Sequence, residues 1–183
     1  PGAAVSLALG LRGGLALATA FPASVALIAT AGMLTGLVPL SWGVLPVALV
    51  AVCGIVIAAG IRFLHLRFLP GHGYHRGDWA SAREWSTYAG VALAAGAVSF
   101  ALFRGIGSPD LFSQTYDNYF HMALIRSVLE TGEASAFVPL DFANPDGDRF
   151  LYPNAWHQLA SLLMTTGATS SIAVAQNALT VVV

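Results

Sequence analysis

The chain has 183 residues, of which 56% are hydrophobic and 9% are charged, and its formal net charge at pH 7 is −1. Ordinary globular proteins carry roughly 25% charged residues, so this chain cannot cover a water-facing surface with polar groups. The composition therefore excludes a soluble monomer, and a single cysteine excludes a disulfide scaffold. No lysine and no basic stripe is present, so nucleic acid is not expected as a partner. We predict an all-α fold, a polytopic transmembrane helical bundle in a lipid bilayer.

Residues 1–104 are predicted to form the transmembrane helices. No charged side chain occurs from residue 13 to residue 61. This run is too long for one crossing, because a helix needs roughly 20 residues to span the hydrocarbon core. The segment 39–43 contains a proline, a glycine and a tryptophan, and it is predicted to be the turn between two spans. We predict three spans, near 15–38, 44–64 and 85–103.

The distribution of arginine predicts the orientation of the chain. The loop 62–84 carries four of the eight arginines and is predicted to be cytoplasmic. One span later, region 105–152 holds seven acidic residues and two arginines, so it is predicted to be an external loop. Arg104, at the outer end of the third span, opposes this rule, although its long side chain can reach the interface. A multi-pass protein of the cell membrane is therefore expected.

The final region, 153–183, carries no formal charge and is predicted to re-enter the membrane. The small polar stretch 165–171 leaves two alternatives open. One is a short re-entry helix followed by the start of a further span, and the other is one long tilted helix. Both ends of the chain, Pro1 and Val183, fall in apolar stretches, and we expect the chain to be part of a longer protein.

The external loop is predicted to contain an amphipathic helix over about 117–131, lying along the membrane surface. Its apolar residues recur at three- and four-residue spacing, and Gly132 suits the left-handed residue that ends a helix. Asp117 and His121 are four positions apart and share one face of this helix. Two structural alternatives stay open. Asp117 could cap a helix that begins at Asn118, and His121 could be an interfacial histidine whose hydrogen bonds are satisfied.

A second group of aromatic and polar residues precedes the final apolar run. Pro153 is predicted to be an early helix residue, and Tyr152 is typical of an aromatic belt in the headgroup layer. His157 is costly at its position unless it is paired, because it lies just inside a run without charge. A metal site built from Asp117, His121 and His157 is possible, but the helical spacing is a weak signal. We predict no metal and no cofactor.

Together these two segments resemble a pattern of a known enzyme superfamily. Residues 116–126 read Tyr-Asp-x-x-Phe-His-x-x-x-Ile-Arg, the helix ends in Thr-Gly, and Tyr-Pro-x-x-Trp-His follows at 152–157. The pattern resembles the first large external loop of GT-C-type polytopic membrane glycosyltransferases. It is more similar still to a group of uncharacterised actinobacterial membrane proteins of that architecture. The resemblance covers about 113–163, and the preceding spans match only in general character.

The resemblance implies transfer of a sugar from a polyprenyl-phosphate donor to a glycan acceptor of the cell envelope at the external membrane face. It implies that Asp117, at the position of the superfamily's loop acid, is the catalytic base that deprotonates the acceptor hydroxyl. Many members carry a pair of acids there, whereas Asn118 follows Asp117, which departs from any mechanism with a shared acid or a metal. The candidate substrate-binding residues are His121, Arg126, Tyr152, Asn154 and His157.

These residues have separate expected roles under that resemblance. His121, His157 and Arg126 are the candidates to stabilise the negative charge that develops on the departing phosphate. Tyr152 and Asn154 are possible sugar contacts. We expect Asp117 and the two histidines to face a common pocket at the external bilayer boundary.

Two other functions stay open. One is a non-catalytic membrane protein that uses the same loop to bind lipid-linked glycans or partner subunits. The other is a transporter or channel component, although the spans at 15–61 and 85–103 contain no formally charged residue to line an ion path.

Overall fold

The computed structural model describes residues 1–69, 82–137 and 152–182, and only the backbone of 82–84. These residues form seven α-helices and no strand, which confirms the predicted all-α polytopic helical fold. The helices are α1 (Gly2–Ala8), α2 (Gly13–Thr35), α3 (Val44–Phe68), α4 (Ala82–Ile106), α5 (Tyr116–Thr131), α6 (Ala155–Thr165) and α7 (Ile172–Val182). Three of them are long and apolar enough to cross a membrane, over Gly13–Thr35, Val44–Phe68 and Trp85–Ile106.

The three candidate spans lie close to their predicted positions, but their ends differ. The first ends at Thr35 and not near residue 38, because Pro39 disfavours the helical conformation for the residue before it. The second and third continue beyond their predicted ends, and the third stops before Gly107, whose φ is +81°. Residues 62–68 and 82–84 of the predicted cytoplasmic loop are therefore helical. Residues 70–81 and 138–151 of the two predicted loops lie outside the described residues.

Helices α1, α2 and α3 form one packed unit held by small residues. Gly2 lies so close to α2 that a Cβ atom there would stand 2.1 Å from the carbonyl oxygen of Ala20. The Gly2 amide donates to Ser24 Oγ at 2.9 Å, and Ser6 Oγ is 2.8 Å from Thr19 Oγ1. Small side chains allow such close approach between membrane helices.

Helices α5, α6 and α7 form a second group at one end of the long helices. Helix α6 contacts α2, α5 and α7, whereas α4 contacts α7. The backbone amide of Trp42 donates to the Gly132 carbonyl at 2.6 Å, and the Ala134 amide donates to Thr35 Oγ1 at 2.9 Å. These bonds tie the segment after α5 to the turn between α2 and α3. The second group and that turn therefore share one end of the bundle, and the assignment of this end to the external side stays a prediction.

The last region consists of two helices, so the alternative of one long tilted helix is wrong. Helix α6 ends at Thr165, and Gly167 adopts φ +77° in the turn before α7. The prediction that Pro153 is an early helix residue is also wrong, because α6 begins at Ala155 after Asn154. That α7 is the start of a further span stays a prediction.

Candidate functional site

Helix α5 presents Asp117 and His121 on one face, as predicted. Thr115 precedes the helix, and its hydroxyl accepts the Asn118 amide at 3.2 Å. The alternative that Asp117 caps the helix is therefore wrong, and its carboxylate is available for side-chain contacts. Asp117 Oδ2 lies 3.3 Å from His121 Nε2. At the other end Gly132 adopts φ +69°, the predicted left-handed stop.

His121 also contacts a histidine of α6. Its Nδ1 is 2.8 Å from Nε2 of His157, and the two rings stack with centroids 5.0 Å apart. Asp117, His121 and His157 therefore form one row of polar contacts, which we call the Asp–His–His row. Both ring nitrogens of His121 have a partner, so the alternative of an interfacial histidine with satisfied hydrogen bonds stays open. The three expected residues do come together, although their sequence separation reaches 40 positions.

Exposure falls steeply along the Asp–His–His row. The side chain of Asp117 is 84% exposed, that of His121 is 28% exposed, and His157 is 1% exposed. The row therefore joins a carboxylate in solvent to an imidazole inside the protein. A ligand at the surface meets Asp117 and His121 directly, whereas His157 acts on it only through His121.

Burial keeps the inner imidazole neutral. The pKa of His157 is lowered to about 4, first by burial and then by the nearby His121, and the Asn154 backbone opposes this shift. At neutral pH His157 is therefore uncharged, so it brings no positive charge to the leaving phosphate, and its expected part there is left to hydrogen bonding through His121. If neutral His121 donates its Nε2 proton to Asp117, its Nδ1 accepts from His157 Nε2. That assignment leaves His157 Nδ1 unprotonated, and within the described residues this atom has no hydrogen-bond partner of normal geometry.

Tyr152 lies beside the row. Its ring packs edge-on against Phe120 with centroids 5.2 Å apart, and its centroid is 5.8 Å from that of His157. Partial burial raises the pKa of the Tyr152 phenol, and the Asp117 carboxylate raises it further. The structure thus places this candidate residue close to both ends of the row, and the phenol stays protonated at neutral pH.

Asn154 is held by the segment that follows α5. Its Nδ2 donates to the carbonyls of Ala134 and Ser135, at 2.9 and 3.1 Å, and its Oδ1 accepts from Gln158. Only 6% of Asn154 is exposed. Both amide protons are used inside the protein, so Asn154 holds the segment after α5 and Gln158 and does not face an open surface.

Gln158 also belongs to the site, although the sequence analysis did not predict it. Its Nε2 donates to the Ala134 carbonyl at 2.7 Å and to Asn154 Oδ1 at 2.9 Å, and the residue is 1% exposed. The polar positions of this segment recur at three- and four-residue spacing and would have indicated a buried polar stripe, namely Asn154, His157, Gln158 and Ser161.

Arg126 lies apart from the row. It follows His121 by five positions, which is a rotation of about 140° around a helix with 3.6 residues per turn. Its Nε lies 2.5 Å from Glu130 Oε1, and both side chains are exposed. Arg126 lines a cavity of about 430 Å³ together with Met164 and Ser171. Asp117, His121 and His157 are not among the residues that line it. The structure therefore does not bring it to the two histidines.

Asn118 occupies the position where a second acid is common in the resembled superfamily, and its amide has structural partners here. Nδ2 donates to the Ser113 carbonyl at 2.8 Å, and Oδ1 accepts from Gln176 of α7 at 2.6 Å. A carboxylate at this position would lose the donor to Ser113. In the described parts of the chain, no group of three or more acidic, histidine or cysteine side chains is arranged to hold a metal ion.

The whole chain, residues 1–183, matches a protein family described as a family of unknown function (DUF6541). No curated protein and no solved structure matches the chain.

Proposed function

The chain belongs to the family of unknown function DUF6541, and we propose that it is the part of a membrane glycosyltransferase that carries the catalytic base. The donor is a sugar on a polyprenyl phosphate, and the acceptor is a hydroxyl of a cell-envelope glycan. One observation carries the proposal: an exposed carboxylate, Asp117, contacts the partly exposed His121, which is held in turn by the buried His157 at the end of a membrane helix bundle. The resemblance of residues 113–163 to GT-C-type enzymes supports the same activity.

The transfer step follows from the position of Asp117. The acceptor oxygen attacks the anomeric carbon and forms a new carbon–oxygen bond. The bond between that carbon and the phosphate oxygen breaks, and its electron pair leaves with the polyprenyl phosphate. Asp117 removes the proton of the acceptor hydroxyl as general base. One carboxylate oxygen, Oδ2, contacts His121, so the other is left for the acceptor.

The two histidines position the base and do not take the reacting proton directly. His121 Nε2 fixes the carboxylate rotamer of Asp117, and His157 in turn fixes the ring of His121. Since His157 is neutral and Arg126 lies on another face, His121 is the remaining candidate of the three for the leaving phosphate. Tyr152 supplies a protonated phenol beside it.

The location of the Asp–His–His row suits a substrate that has one part in lipid and another part in water. Three long apolar helices provide the membrane part, and α5 lies at the end where α2 turns into α3. At such a boundary a polyprenyl chain lies in lipid while its sugar meets the exposed Asp117. This arrangement needs no charged residue inside the spans.

Sugar transfer by the full chain in proteoliposomes tests the proposal. The liposomes contain a radiolabelled polyprenyl-phosphate sugar and a glycan acceptor, and transfer is measured for Asp117→Asn. Loss of a positioned general base lowers the rate by about 10²- to 10⁴-fold. Asp110→Asn is the matched control, because Asp110 is an exposed acid of the same region that bonds to Ser108 and lies outside the row. The control keeps the wild-type rate.

Two outcomes reject the proposal. Undiminished transfer by Asp117→Asn excludes this carboxylate as the base. Binding of the polyprenyl-phosphate sugar without transfer by the wild-type protein favours the alternative of a non-catalytic membrane protein that recognises lipid-linked glycans.

A further inference from the structure

A second cavity lies between the end of α4 and the first turn of α5. Its volume is about 670 Å³, and α7 and the segment 111–114 complete its walls. It touches Asn118 and does not include Asp117, His121 or His157. The cavity is therefore distinct from the Asp–His–His row, and nothing in the proposed transfer step uses it.

The described lining of this cavity carries no charged side chain but several amides. Gln114, Asn118, Gln176 and Asn177 line it, together with the hydroxyl of Ser113. The smaller cavity beside α5 differs, because Asp110, Arg126 and Glu130 line it. Neutral amides bind hydroxyl groups by hydrogen bonds and offer no charge to compensate a phosphate or an ammonium group.

One amide of this cavity has an unused acceptor. Asn118 donates through Nδ2 to the Ser113 carbonyl, so its Oδ1 faces Gln176. That contact requires Gln176 to donate through Nε2, which leaves Gln176 Oε1 as the free atom. This oxygen is buried and has no hydrogen-bond partner among the described residues. A buried acceptor without a partner is costly, and a ligand hydroxyl would satisfy it once the Gln176 side chain turns toward the cavity.

The opposite wall of the cavity is the last part of a membrane helix. Ala101, Leu102, Gly105 and Ile106 of α4 line it, and α4 is a candidate span that ends at Ile106. The cavity therefore joins an apolar surface at membrane level to a set of amides beyond it. A ligand that matches both walls has an alkyl chain and an uncharged head that carries hydroxyl groups.

From this geometry we infer that the cavity binds the neutral, hydroxylated headgroup of a membrane amphiphile, a sugar ring on a lipid being the class that fits. The Gln176 side chain turns so that its Oε1 accepts from a hydroxyl of the head, and the alkyl chain runs along the α4 wall. The site goes beyond the proposed transfer and exists whether or not that transfer occurs. An anionic head is excluded, because its charge would lose water without gaining a counter-charge.

Protection of an introduced thiol tests this site. The protein carries Cys53→Ala to remove its own thiol and Ser113→Cys to place one at the cavity, and it is held in lipid nanodiscs. The rate of maleimide modification is measured with octyl β-glucoside and with octyl phosphate, both below their micellar concentrations. The glucoside slows modification in a saturable manner, and the phosphate of equal chain length does not.

Two variants assign the protection to the cavity. Gly105 lines the cavity and a Cβ atom there meets nothing within 4 Å, so Gly105→Leu places an apolar side chain at the cavity and weakens protection by about tenfold or more. Gly96→Leu is the matched control, because Gly96 lies on the same helix in equally open space, and it keeps wild-type protection. Gln176→Met removes the acceptor and weakens protection by roughly fivefold, the effect of one neutral hydrogen bond.

Three results overturn the inference. They are equal protection by the two headgroups, wild-type protection in Gly105→Leu, and absence of protection in the parent protein. The readout is binding alone, so it is independent of the transfer assay. Loss of transfer in Asp117→Asn with no glucoside protection, for example, rejects this site and leaves the proposed function standing.

Discussion

Gly32 of α2 lies against the amide of Gln158. A larger residue at position 32 therefore tests whether the buried group around Gln158 holds the inner end of the Asp–His–His row in place. A Cβ atom at position 32 would stand 2.1 Å from Gln158 Nε2 and 3.0 Å from the Ala134 carbonyl oxygen. In Gly32→Ala, Gln158 must therefore move and give up its bonds to Ala134 and Asn154. Because His157 and Asn154 belong to the same buried group, the inner end of the row moves with them.

The expected cost follows from these contacts. Overpacking a buried site costs about 1–3 kcal/mol, and two neutral hydrogen bonds contribute about 1 kcal/mol each. We expect Gly32→Ala to lower the free energy of unfolding by roughly 3–5 kcal/mol. Gly60→Ala is the matched control, since a Cβ atom there meets nothing within 4 Å, and it causes no loss.

Unfolding in mixed micelles with a rising fraction of sodium dodecyl sulfate measures this cost, with tryptophan fluorescence as the signal. Trp42 is a suitable reporter because it is buried and bonds to Ser161 of α6. The double variant Gly32→Ala, Gln158→Ala decides the mechanism. Removal of the glutamine side chain relieves the clash, so the two costs are strongly non-additive. Costs that simply add would refute the proposed contact.

Three further predictions use the same unfolding assay. Because the pKa of His157 is about 4 in the folded protein and about 6.5 when unfolded, the neutral form stabilises the fold above pH 6.5. Roughly 3 kcal/mol is lost as the pH falls from 6.5 to 4, and His157→Gln removes most of that dependence. Trp42→Phe, whose unfolding is followed by circular dichroism because the fluorescent reporter is removed, loses the 2.9 Å bond to Ser161 and about 1 kcal/mol, whereas Trp85→Phe, at an exposed site, loses almost nothing. Arg126→Gln breaks an exposed pair and costs less than about 1 kcal/mol, and full sugar transfer is retained because Arg126 lies outside the row.

Local patterns predicted the three candidate spans and α5, but not α1. Uncharged runs located the three candidate spans, and three- and four-residue spacing with Gly132 predicted α5 within one residue of its start. The pairing of Asp117 with His121 followed from the same periodicity. The predicted helix bounds were wrong near two prolines, at the end of α2 before Pro39 and at the start of α6 after Pro153. Helix propensity does not fix the first or the last helical residue.

The support of the site was not predictable from such patterns. The bonds of Trp42 to Ser161 and of Gln176 to Asn118 join residues 119 and 58 positions apart. Their formation depends on which helices pack together, and that choice is set by the whole bundle. The neutral state of His157 has the same origin, since its burial depends on the packing of α6 between α2 and α5.

The most direct test of the Asp–His–His row is a ¹⁵N NMR measurement of the two histidine side chains in lipid nanodiscs at pH 5.5. An ordinary histidine is mostly charged at that pH, because its pKa is about 6.5. The Asp–His–His row requires a neutral His157 and a scalar coupling between His121 Nδ1 and His157 Nε2 across their hydrogen bond. A charged His157 at pH 5.5, or two imidazoles without that coupling, would contradict it.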